Sequence, residues 1–116
     1  DHIQYLNELP LVVERGDCVF VHGSLDSPEL FDYVQTSYDA FLSIEQMKPE
    51  SKVRFIGHSH VPITFMLYDV ITYSMDQKID LSSVNKAIVN VGSVGQPRDH
   101  NPNSSFAIYD TDTCVA

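Results

Sequence analysis

Tryptophan is absent, cysteine occurs only twice, and seven basic residues face sixteen acidic ones, for a formal net charge of −9. Each shortage excludes something. A surface so poor in Lys and Arg repels nucleic acid and anionic membranes unless bound cations reverse the local field, so neither is expected as a partner. No apolar run approaches the ~18 residues that cross a bilayer. No basic-then-apolar leader opens the chain, which starts Asp1-His2-Ile3-Gln4. Cys18 and Cys114 lie far apart and outside any Cys-x-x-Cys pair, which leaves a thiolate metal site or redox motif without support. Two small buried thiols in a reduced, cytoplasmic protein are expected rather than a disulfide. The opening lacks Met and enters a periodic segment almost at once, so a fragment or a processed chain is expected.

What is present suits a small globular unit. The 116 residues are 43% hydrophobic, with six Tyr and six Phe as core and wall material. That length fits one domain or part of a larger one. Ile3 to Leu9 carries apolar residues at helical spacing and stops at Pro10. Leu11-Val12-Val13-Glu14 and Cys18-Val19-Phe20-Val21 read as strands about the turn Arg15-Gly16-Asp17. A helix is predicted from a Ser27 cap and Pro28 to about Met47, with Phe31, Tyr38, Phe41 and Leu42 as its core stripe. Val53-Arg54-Phe55-Ile56 and Ala87 to Val91 are further strands, Ile63 to Tyr73 is one or two more, and Ser105 to Asp110 is a closing strand. Strand, helix, strand and then mostly strands predict an α/β sandwich whose sheet becomes antiparallel.

Two strands end on a histidine beside glycine, in His22-Gly23 and Gly57-His58-Ser59-His60. Sites in open α/β sheets gather at the carboxyl ends of strands. In an extended stretch, His58 and His60 point the same way, and His22 converges on them from the neighbouring strand end. Three neutral imidazoles make a good partial shell for Zn, Mn, Fe, Co or Ni, and a poor one for Ca or Mg alone. His22 by itself is more often a partner-satisfied polar residue at a strand end. His2 and His100 are expected to be exposed. Arg98, the one basic residue in a glycine-bearing loop, either clamps a phosphate bidentately or shapes the loop through Asp99 or a carbonyl.

Val19-Phe20-Val21-His22-Gly23-Ser24, Phe55-Ile56-Gly57-His58-Ser59-His60-Val61-Pro62 and Asn90-Val91-Gly92-Ser93-Val94-Gly95-Gln96-Pro97-Arg98-Asp99 together resemble the calcineurin-like metallophosphoesterases, in their small bacterial and archaeal branch. The resemblance implies that residues 1–116 are a single partial domain, the C-terminal part of a four-layer α/β/β/α sandwich. It implies two divalent metal ions, with His22 and His58 on one and His60 on its neighbour, sharing a hydroxide that attacks phosphorus. The implied substrate is a phosphorylated small molecule, a nucleotide or a phosphoprotein. The family's Asp-x-His-Gly, Gly-Asp and Gly-Asn-His-Asp/Glu motifs do not occur here. The missing N-terminal half of the same domain is therefore an expected partner, and the isolated chain is expected to be inactive. Two rivals stand beside the enzyme: a non-catalytic scaffold that kept the fold for protein binding, and a mononuclear three-histidine metal protein. Self-association into a homo-oligomer stays open.

Overall fold

In a computed structural model covering residues 1–116, the chain runs α1 (His2–Asn7), β1 (Val12–Arg15), β2 (Cys18–Val21), a 3-10 turn (Pro28–Leu30), α2 (Ser37–Glu45), β3 (Val53–Ile56), β4 (Ile63–Leu67), β5 (Ile71–Ser74) and β6 (Lys86–Asn90). All six strands form one sheet in the order β1-β2-β3-β6-β4-β5. β2, β3 and β6 are parallel neighbours, while β1, β4 and β5 pair antiparallel. The mixed α/β class, with a sheet that turns antiparallel, is the one expected. No helix is long and apolar enough to cross a membrane.

Alternation along the strands sorts the core onto two faces. Val53, Phe55, Ala87 and Val89 join Cys18 and Met66 on one face, where Leu81 and Val84 pack on them. Ile56, Phe65, Ile88 and Val21 point to the other and pack on Ala40 and Ile44 of α2. A strand such as β3, buried on both sides, reads in sequence as a short continuous apolar run.

The exception in that run is Arg54, which is wholly buried beneath α2. Its guanidinium donates to the Ser43 hydroxyl and the Ser43 carbonyl, in the last turn of α2, and the chain's one salt bridge lies elsewhere, between Lys48 and Glu14. Lys86 Nζ donates to the Met47 and Lys48 carbonyls at 3.1 and 2.7 Å, at the same helix end. Both cations thus meet the negative end of the helix dipole. Burial lowers the Arg54 pKa to about 10, which still leaves it charged at neutral pH. Emptying the site with Arg54→Ala is expected to cost about 2–5 kcal/mol. Arg54→Met, which keeps most of the volume and removes the buried charge, should cost far less. Urea denaturation compares the two; equal losses would mean that the charge, not the volume, is what matters.

Three expectations fail in this region. The helix predicted from Ser27 to Met47 is split: Ser27 makes no side-chain cap, and α2 starts at Ser37. Thr36 caps it, accepting from Asp39 N–H at 3.1 Å while the Asp39 carboxylate accepts from Thr36 N–H at 2.9 Å. This reciprocal box satisfies two backbone donors and sets the phase that turns Ala40, Ser43 and Ile44 inward. Tyr38, Phe41 and Leu42 consequently face outward, at 69%, 45% and 45% exposure, and the predicted core stripe is not core. The closing strand is also absent, reduced to the single bridges Asp110–Val115 and Asp80–Val115. Ile63 to Tyr73 forms the β4–β5 hairpin, the two-strand alternative.

Candidate functional site

Because β2, β3 and β6 run parallel and side by side, their carboxyl ends lie together. His22 follows β2, Gly57-His58 follows β3, and Val91-Gly92-Ser93 follows β6. Gly57 N–H donates to the His22 carbonyl at 3.0 Å, which extends the ladder one step beyond the strands. It brings His22 Nε2 to 3.0 Å from His58 Nδ1. At that distance two neutral rings share one proton between their facing nitrogens, and two protonated rings would repel. The His58 pKa lies below the ordinary imidazole value, through burial first and then the charges of His22, His60 and Arg98. Neutral imidazole is the form that offers a lone pair.

His60 is placed differently. Its Nδ1 donates to the Gln96 carbonyl at 2.7 Å, an oxygen that only accepts, which leaves Nε2 as the one nitrogen able to serve as a ligand. His22 and His58 meet, but no three His, Cys, Asp or Glu side chains gather in a ligand-like cluster. His60 does not join His22 and His58 in such a cluster, and the extended backbone expected of the His-x-His stretch is not present. His58 and His60 have φ of +64° and +60°, and a left-handed backbone breaks the alternation that would aim both rings alike. Ser59 N–H closes a tight turn onto the Gly57 carbonyl at 2.8 Å with His58 at its centre, the arrangement of a strained γ-turn. A non-glycine residue held there typically costs about 1–3 kcal/mol, and such strain clusters at functional sites.

Two aromatic rings, which spacing alone did not assign to the site, cover the histidine pair. Tyr33 stacks on His58 with centroids 4.3 Å apart and planes 28° apart, and Phe31 meets His22 edge-on at 5.6 Å. The loop that carries them is held down at Gly23, where an added Cβ would lie 2.8 Å from the Asp32 carbonyl oxygen. Ser24 N–H donates to that same oxygen at 3.0 Å. Gly23 therefore permits a close backbone approach. At Gly57 a Cβ would meet only ordinary contacts, because His58 itself makes the sharp turn. Residues 31–33 lie in neither helix nor strand, so no periodicity marks them.

Arg98 is exposed and tied into its loop, with its backbone N–H on the His60 carbonyl and Nη2 on Gln96 Oε1, both at 3.1 Å. The Arg98–Asp99 contact considered from sequence is replaced by this Arg98–Gln96 bond. His2 and His100 are exposed, as expected. A groove of about 910 Å³ opens from His22, His58 and His60 along the sheet face opposite α2, walled by Leu9, Leu11, Phe20 and Phe55.

Residues 1–114 match the model of the calcineurin-like phosphoesterase superfamily domain. The chain is 29% identical to an uncharacterized protein of Methanocaldococcus jannaschii, across 95% of this chain and 44% of that protein. It superposes on the crystal structure of a metallophosphoesterase from Sphaerobacter thermophilus with a TM-score of 0.85 and 34% identity, across 98% of this chain and 48% of that one. The chain thus spans about half the length of the relatives it matches.

Proposed function

The chain belongs to the calcineurin-like phosphoesterase superfamily, and on that premise we propose that it forms the histidine-bearing part of a metal-dependent phosphoesterase centre. The observation that carries this reading is the 3.0 Å approach of His22 Nε2 and His58 Nδ1 at adjacent strand ends. Two imidazole nitrogens this close would fit a pair of ligands to a single cation, which would supply the opposite charge between them. His60, oriented by the Gln96 carbonyl, would serve a second. Nitrogen donors suit Mn, Fe, Zn, Co or Ni. When bound, such ions neutralise phosphoryl oxygens and lower the pKa of water. The chain's own part is to hold these imidazoles against the groove and to offer the exposed Arg98 guanidinium to a phosphate.

The other ligands are proposed to come from a segment outside these 116 residues that completes the domain. The sheet face opposite α2 supports this, since Leu6, Leu11 and Phe20 beside the groove are 62%, 49% and 41% exposed. Contiguous apolar surface of this kind marks a site of packing. The substrate is a phosphorylated small molecule, a nucleotide or a phosphoprotein, in a reducing, cytoplasmic setting that suits the free thiols of Cys18 and Cys114.

In the test, the full-length protein hydrolyses p-nitrophenyl phosphate or its bis-ester with Mn²⁺, loses the activity in EDTA and regains it on adding Mn²⁺. Activity indifferent to EDTA would count against the metal centre. The lack of a three-residue ligand cluster favours one rival, a scaffold that keeps the fold for protein binding. Absence of both hydrolysis and metal binding would select it.

A further inference from the structure

We propose that Asn90 is a positioning residue that holds the His58 turn in its ligand-presenting conformation. The inference rests on the reading of His22 and His58 as metal ligands. Asn90 is the last residue of β6 and is 2% exposed. Its Nδ2 donates to the Gly57 carbonyl and to Ser59 Oγ, both at 2.8 Å, and its Oδ1 accepts from Gly92 N–H at 3.0 Å. The carbonyl and the backbone N–H fix the orientation of the amide, because one only accepts and the other only donates. One side chain therefore grips the residues on either side of His58 and ties them to the loop that follows β6.

The geometry assigns Asn90 more than a generic buried bond. Gly57 and Ser59 are the two ends of the turn that forces His58 to φ +64°, a conformation a histidine abandons unless its neighbours impose it. Gly57 N–H ties the start of the turn to the His22 carbonyl on the β2 side, and Ser59 N–H to Gly57 O is local. Asn90 holds both ends of the turn from the opposite side, because β6 and β2 flank β3 in the sheet. The register with β6 is set on the far side as well: Gly92 has φ +75°, and a Cβ there would lie 2.8 Å from Ser105 Oγ. The turn is thus built between two strand ends that the sheet holds rigidly. Nothing in Asn90 touches a ligand nitrogen, so its effect passes through the backbone at His58.

Asn90→Asp is the discriminating change, since it preserves shape and the bond from Gly92 while removing both donors. In the full-length protein, Co²⁺ affinity is expected to fall about 10-fold or more, the range for losing a group that orients a ligand. Ile44→Ala, a change in the core beneath α2, serves as the control for lost stability. It should lower the melting temperature without changing Co²⁺ affinity. Without metal, the ring ¹⁵N resonances of His22 and His58 should lose the signature of their shared proton in Asn90→Asp and keep it in Ile44→Ala. Should Asn90→Asp not fold, Ser59→Ala removes one of the two acceptors and should still weaken Co²⁺ binding about threefold or more. Affinity within twofold of wild type in a folded Asn90→Asp, or an equal loss in Ile44→Ala, overturns the inference while the metal reading stands. A wild-type protein that takes up no Co²⁺ overturns both.

Discussion

His58→Ala in the full-length protein is expected to lower kcat by about 10²–10³, the loss typical of removing one preorganised electrostatic stabiliser from a transition state. The argument starts from position. His58 sits where β3 ends, with Nδ1 3.0 Å from His22 Nε2 and its ring against Tyr33. Alanine removes the nitrogen, leaves His22 without its partner and empties the space under the aromatic ring. If these nitrogens hold a cation, the loss reaches the charge that develops in the transition state and therefore appears in kcat. Arg98→Ala should behave differently. Its guanidinium is exposed and held only through Gln96, and it would touch phosphate oxygens present in ground and transition states alike. Its loss belongs mainly in KM. Steady-state kinetics at saturating metal separate the two. A His58→Ala enzyme with wild-type kcat would falsify the central role of this residue, and an Arg98→Ala enzyme unchanged in both constants would reduce Arg98 to shaping its loop.

The isolated 116-residue chain should show no metal-dependent hydrolysis above the buffer rate. Within it, two imidazole nitrogens meet and His60 lines the same groove, but no carboxylate joins them as a ligand. Two cations without a bridging anion repel each other at close range and have little to hold them together. The sheet also presents an uncovered apolar face, so the groove is open to water where a phosphoryl-transfer site needs a shielded one. Circular dichroism would first establish that the chain is folded, and mass spectrometry that no longer form contaminates it. Manganese-dependent turnover by such a sample would show that these residues suffice, and the proposal of outside ligands would fail.

How much was legible before the fold was known depended on the range of the forces involved. Short apolar runs bounded by glycine or turn residues marked β2, β3 and β6, and the His-Gly and Gly-His pairs at their ends marked the site. Strand composition and turn chemistry are local properties, so the sequence alone determined these, together with the α/β class and the family. The partners of each strand were not local. β3 pairs with β6, whose residues come some thirty positions later, and that pairing alone brings Asn90 to Gly57 and Ser59. The start of α2 turned on the reciprocal bonds of Thr36 and Asp39, a competitor to Ser27-Pro28 that periodicity could not rank, and the whole aromatic stripe moved outward with it. At His58 and His60 the backbone is left-handed, which no local pattern in His58-Ser59-His60 signals, so the extended reading does not hold there. Sequence thus determined which residues arrive at the site. Tertiary structure decided how they face one another, because strained turns and close backbone approaches persist only where long-range hydrogen bonds and burial hold them.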